Sequence, residues 1–284
     1  MQSKHLSSLC ITIFFCCLLS SCSSIITNRF IQPAVGNLQQ QTDIELVCEG
    51  APAYLLMLDS MLISSPEDTN LLLTVTQSYS AYASALKECG DGNMNRIPAI
   101  AEKAKLYGQS LLRAHLPLNA SSEELTSHLE QQRVNDVPEL FWGTLGWLTW
   151  VQSQNGSPSS IADIVQIEMI MNRIAELDPS YQGGSVHVFF GSYHAAKPVM
   201  FGGKPEVSRQ HFEKALELSE RRFLLTQTTY AETLARATFD QELHDRLLRE
   251  VLDFPLDSAP EFGLSNRIAQ KHAKKLLDEN YFGE

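Results

Sequence analysis

Histidine offers the most chemistry in this chain: eight occur among 284 residues, and His187 and His194 stand seven apart. That spacing puts both on one face of a helix, with His211 on the next predicted helix. Neutral imidazole is a common metal ligand. A zinc site, however, needs three or four convergent donors, and the chain has neither an H-E-x-x-H pattern nor paired cysteine motifs. The three histidines therefore read as packing or hydrogen-bonding groups, and no metal or cofactor is expected. Gly191-Ser192-Tyr193 lacks the flanking glycines and preceding strand of a nucleophile elbow. Gly202-Gly203-Lys204 lacks the spacing of a phosphate loop. No catalytic constellation survives, and the chain is not expected to be an enzyme. The aromatic set is more informative. Trp142, Leu145 and Thr149 mark one helix face, while Trp147 and Trp150 partly turn away from it. Together with His187, Phe189 and Tyr193, the three tryptophans are the candidate lining of a ligand or partner cleft, where flat amphipathic rings contribute area at low entropic cost.

The elements that must position these residues are helices throughout. Apolar residues recur at helical spacing over Asp43 to Met61, where Gly50-Ala51-Pro52 is expected to kink or divide the helix. They recur again over Asn70 to Glu88, with Gly90-Asp91-Gly92 as the stop. Further helices are predicted at Pro98 to Leu116, Ser121 to Gln132, Glu139 to Gln154, Ser159 to Leu177, Gly184 to Ala196, Pro205 to Arg222, Leu224 to Ala237, Gln241 to Leu252 and Ala259 to Leu277. No strand pattern of period two competes. The fold class is all-α.

Within this array Trp142-Gly143-Thr144-Leu145-Gly146 fits the first half of a tetratricopeptide repeat, with Thr149 in place of the tyrosine, and Ile167, Met171, Ile174 and Pro179 follow on a partner helix. A second unit places Phe190, Gly191 and His194 before Ser208, Phe212 and Ala215. Small residues such as Gly146, Gly191 and Ala215 let helices approach, and Trp142 and Phe212 fill the adjoining holes. Antiparallel hairpins of degenerate tetratricopeptide type, stacked into a superhelical array, are the expected architecture.

The N-terminus carries a different signal. Lys4 and His5 precede the short apolar core Ile11 to Leu19, which reads as a signal peptide over residues 1–21. Leu19-Ser20-Ser21-Cys22 resembles the lipobox of bacterial lipoproteins, so Cys22 is expected to be acylated and to become the mature N-terminus. Residues 22–41 read as a lipidated flexible tether, and residues 42–284 as a single helical domain. Ser23 after the cysteine favours the outer membrane, facing the periplasm.

A formal charge of −11 without a basic run argues against nucleic acid, and it keeps the domain off anionic lipid surfaces. Of six cysteines, only Cys48 and Cys89 remain beyond the leader and the anchor. An oxidising compartment favours a disulfide between them. Two buried free thiols are the alternative, and spacing does not choose.

The stretch from Gln182-Gly183-Gly184-Ser185-Val186-His187 through Lys197-Pro198, with Phe201-Gly202-Gly203-Lys204-Pro205 and His211-Phe212-Glu213-Lys214-Ala215, is similar to the T-component family of tripartite ATP-independent periplasmic (TRAP) transporters. Glu49-Gly50-Ala51-Pro52-Ala53-Tyr54, Tyr79-Ser80-Ala81-Tyr82-Ala83 and the segment from Phe239-Asp240 to Leu252 fit the same family. The resemblance implies a periplasmic lipoprotein of cryptic tetratricopeptide hairpins. It further implies a homo-oligomer that associates with an extracytoplasmic solute receptor and has a cleft suited to apolar ligands. Cys48 and Cys89 depart from the family pattern, as does Lys204, where an acidic residue is commoner. A tetratricopeptide-like adaptor in envelope assembly is the competing reading.

Overall fold

Five helices open on a side chain that accepts a hydrogen bond from the backbone amide three residues on: Asp43, Asp68, Ser121, Ser157 and Asp240. Each satisfies one of the donors that the first helical turn leaves free. Pro98, Pro138, Pro158 and Pro205 sit in first turns, where a missing donor costs nothing. The computed structural model describes residues 32–154, 156–196 and 202–283. The expected signal peptide, the anchor Cys22 and the segment 197–201 lie outside the described residues.

Twelve α-helices are present among the described residues, with no strand. In chain order they are α1 (Gln32–Gln40), α2 (Ile44–Ser64), α3 (Thr69–Leu86), α4 (Ile97–Leu112), α5 (Ser122–Gln131), α6 (Val137–Ser153), α7 (Pro158–Leu177), α8 (Tyr181–Ala195), α9 (Pro205–Leu218), α10 (Leu225–Tyr230), α11 (Gln241–Asp253) and α12 (Gly263–Asp278). The all-α expectation holds. Helix α10 runs on through a π turn over Ala231–Ala235.

Most helices pack on a neighbour in the chain, while α4 also packs on α6 and α5 on α7, and three apolar clusters follow along the chain. The first joins α2, α3 and α4 through Leu58, Leu71, Val75 and Leu111. The second joins α4 to α8 around Leu140, Ile167, Ile170 and Met171. The third joins α8 to α12 around Phe212, Tyr230, Leu234 and Leu248. Phe212 is fully buried and stacks on Tyr230 at 4.6 Å between ring centroids.

The tightest approach is between α4 and α6. A methyl group on Gly146 would lie 2.5 Å from the carbonyl oxygen of Ala104, and one on Gly108 would lie 2.5 Å from that of Gly143. Only bare backbone fits on both sides. Gly191 does the same for the second repeat-like unit, with the Phe212 ring 2.8 Å from where its Cβ would be.

Two expectations are corrected, and one left open is decided. Gln32–Gln40, expected to belong to a flexible tether, forms α1, which packs against α12, and Leu38 joins the first cluster. Its composition, rich in Gln with Ala and Leu, is compatible with helix, and the apolar contact supplies what propensity alone does not. Pro52 does not divide α2, which runs unbroken over Ile44–Ser64. Val47, Ala51, Leu55, Leu58 and Leu62 form a buried stripe that continues past the proline, and this packing outweighs one lost backbone bond. Cys48 and Cys89 are joined by a disulfide, with Cα atoms 5.7 Å apart, across the α2–α3 hairpin, so the free-thiol alternative does not describe this structure.

The ends of the array meet. Leu264 of α12 enters the first cluster, and Lys271 and Lys275 reach the carbonyl and the carboxylate of Glu88 at 3.0 and 2.9 Å.

Candidate binding surface

The six candidate cleft residues fall into two groups on either side of α7. On the α6 side, the Trp147 indole N–H donates to Asp163 Oδ2 at 2.7 Å, and the same oxygen accepts from Lys105 Nζ at 3.0 Å. The Lys105 ammonium lies 3.3 Å from the centre of the Trp150 ring, close enough for a cation–π attraction. Trp147 and Trp150 are buried, and Trp142 is only partly so, packed where the first and second clusters meet. The Trp147 N–H finds its acceptor in Asp163 and the Trp150 ring face carries the Lys105 ammonium, so both rings stay inside.

On the α8 side, Tyr193 donates to Glu168 Oε2 at 2.8 Å and stacks on Phe189 with ring centroids 5.9 Å apart. Helix α7 thus lends one carboxylate to each neighbour. Between them it leaves Ile161 and Val165 exposed, at 61% and 54%.

Further along lies an imidazole cluster. His187 Nδ1 is 3.0 Å from His211 Nδ1, the His194 and His211 rings stack at 5.8 Å, and Phe190 lies 5.2 Å from His211. The 3.0 Å contact requires one donor and one acceptor, so the two imidazoles carry opposite tautomers when both are neutral. Burial pushes His187 below its ordinary range, with Lys214 adding to the effect. Burial also lowers His194, helped by Lys204 and opposed by Glu168. His211 falls furthest, to about 4, through burial and then the neighbouring His187 and His194. All three are therefore neutral near pH 7. No group of three or more His, Cys, Asp or Glu side chains suited to a metal ion occurs among the described residues.

What aims α8 is local. Gln182, Gly183 and Gly184 have φ of 50°, 66° and 75°, a left-handed turn that glycine adopts without cost and glutamine does not. Ser185 closes it by donating to the Gln182 carbonyl at 2.6 Å. On the next helix Ser208 donates to the Gly191 carbonyl at 2.7 Å, which pins α9 to α8.

Sequence reasoning brought out His194 and His211 but missed Lys105, Asp163 and Glu168. Lys105 and Asp163 are 58 positions apart, and no local pattern connects them. An ammonium and a carboxylate on amphipathic helices read as solvated charges until tertiary packing puts both against tryptophan.

Twelve α-helices among the described residues, with seams where bare glycine backbone meets backbone, define an all-α protein. The chain belongs to the TRAP transporter T-component family, whose sequence profile matches residues 40–282. It is 25% identical over 256 residues to an uncharacterized protein of Treponema pallidum (strain Nichols), an alignment that covers 84% of this chain and 79% of that one. The protein is therefore a component of a TRAP transport system, and its place is the bacterial envelope.

Proposed function

We propose that the protein is a lipid-anchored periplasmic accessory component of its transport system, held to the outer membrane through acylated Cys22. It binds the extracytoplasmic solute receptor and has no catalytic step of its own. The observation that carries this reading is the family match over residues 40–282. The helix pairs α6–α7 and α8–α9 act as tetratricopeptide-like units, which suits a scaffold that presents one rigid face to a protein partner.

The receptor docks on the outer side of α7 and α8. There Ile161 and Val165 lie exposed along the same helix as Asp163 and Glu168, which hold Trp147 and Tyr193. Apolar side chains framed by hydrogen-bonded aromatics and a few charges are the composition that protein interfaces favour. The mature protein is a homo-oligomer in this reading, and a hydrophobic solute is its second ligand.

Affinity capture of the tagged lipoprotein from detergent extracts of its own cells tests the proposal. Recovery of the solute receptor supports it. Recovery of envelope-assembly factors without a receptor overturns it in favour of the adaptor role. Labelling with a palmitate analogue tests the anchor separately, because a Cys22→Ala protein must take up no label.

A further inference from the structure

The 21-residue helix α2 is long and apolar enough to cross a membrane, yet it is also the first wall of the core. Its inner stripe, Val47, Ala51, Leu55, Leu58 and Leu62, packs away from solvent, and the Cys48–Cys89 disulfide ties it to the end of α3. A helix so fixed does not leave the domain to span a bilayer. Its outer face is a different surface. Leu56 is 66% exposed, Met57 47% and Ile63 83%. With Ala53 and Ser60 they follow the spacing of one helix face, a stripe roughly 15 Å long at 1.5 Å per residue.

The stripe carries no exposed charge from Gly50 to Ser64, and exposed Glu45 and Glu49 continue the same face toward the start of α2. Asp59, the one ionisable group between Gly50 and Ser64 besides Tyr54, is turned inward: it accepts from Tyr79 and Tyr107 at 2.8 Å each and pairs with Lys103. At the N-terminal end of the stripe, a groove of about 200 Å³ opens between α1 and α2, lined by Leu38, Leu46, Val47, Gly50 and Tyr54 among others.

Two features decide what covers this face. The first is reach. Only nine residues separate Cys22 from Gln32, and nine extended residues span at most about 30 Å. If Cys22 is acylated, α1 begins within that distance of the bilayer and α2 is the next element along the chain. The second is charge. The chain carries −11, and an anionic leaflet repels an acidic surface, so an uncharged apolar stripe is suited to approach it closely.

We propose that the outer stripe of α2 lies in the headgroup region of the membrane that holds the lipid anchor. Contact at a second point fixes the orientation of the protein, because the acyl chains hold the stripe at high effective concentration against the surface. Helix α2 then lies along the interface, with its inner face still in the protein core. This inference rests on the anchor reading of Cys22.

The test uses the purified lipoprotein in vesicles of phosphatidylethanolamine and phosphatidylglycerol carrying a trace of a phospholipid with a photoactivatable headgroup. After irradiation, peptide mapping locates the lipid adducts. Adducts beyond the acylated N-terminal peptide are expected to concentrate between Ala53 and Ile63. The double variant Leu56→Glu, Ile63→Glu is expected to lower that yield about tenfold, the effect of drawing roughly 1.4 kcal/mol from the contact. Its melting temperature should match the parent, since both residues are exposed. Adducts spread over the whole surface, or an unlabelled α2, overturn the proposal. So do protein–protein cross-links formed, in a parallel experiment, by a photoactivatable residue placed at position 56, which would assign the stripe to a second copy. Intact mass keeps the two readings apart: a mass without acyl chains sinks the anchor, while α2 adducts on protein added to the vesicles still report on the stripe.

Discussion

Replacing Gly146 by alanine is expected to destabilise the protein, against the usual preference for alanine in helices. The new methyl would lie 2.5 Å from the Ala104 carbonyl oxygen, 2.9 Å from Thr76 Cγ2 and 3.2 Å from the Ala104 carbonyl carbon. Two of these atoms are backbone and cannot rotate away. To restore ordinary contact, α6 must move off α4 and α3 by a sizeable fraction of an ångström. Overpacking of this kind costs about 1–3 kcal/mol in folded cores, and the gain in helix propensity offsets at most about 1 kcal/mol. With a cost near the middle of that range, about 2 kcal/mol, a net loss of about 1 kcal/mol or more remains, which lowers the melting temperature of a chain this size by roughly 2–4 °C per kcal/mol. Gly50→Ala is the internal control. It lies in α2 with nothing within 4 Å of its Cβ position, so the same change should raise stability by about 0.5–1 kcal/mol. Thermal melts followed by far-ultraviolet circular dichroism compare the two. A Gly146→Ala protein that melts at or above the parent temperature refutes the close packing of α4 and α6, and with it the reason that small residues line this seam.

Reduction, or Cys48→Ser with Cys89→Ser, removes a cross-link between residues 41 apart and should cost up to about 4 kcal/mol, read as a lower midpoint in urea. The histidine cluster predicts a pH dependence. Because folding lowers the His211 pKa to about 4, the unfolded chain binds the proton more readily. The stabilisation is complete above about pH 6.5 and is lost as pH falls toward 4. Nuclear magnetic resonance should show the His211 ring titrating well below the ordinary histidine range, and His211→Gln should flatten this part of the stability profile. An unshifted His211 midpoint near 6.5 would contradict the arrangement. Asp59→Ala leaves Tyr79, Tyr107 and Lys103 without their shared acceptor and should cost about 2–3 kcal/mol, measured by chemical denaturation.

Much of this architecture could be read from residue order. Apolar spacing set the helix inventory, and the small residues at 146 and 191 marked where helices touch. Other features depend on contacts that no window contains. The Gln-rich segment became helix α1 because α12 returns from the far end of the chain to cover it. Pro52 stayed inside α2 because the buried stripe on both sides of it is continuous. At the candidate surface the aromatic rings were legible, but their charged partners were not. Trp147 and Trp150 face inward because Lys105 and Asp163 come together beside them from positions 58 apart. The left-handed turn at Gln182 to Gly184 was visible only as two glycines, and its consequence, the aim of α8, is a matter of backbone geometry.

In the proposed function the protein works by holding the solute receptor of its transport system. A calorimetric titration of the purified lipoprotein in detergent with that receptor measures it directly. Saturable heat is expected, weakened about tenfold or more when Ile161→Asp and Val165→Asp put two charges on the exposed face of α7. The absence of any saturable association with the receptor would contradict the account.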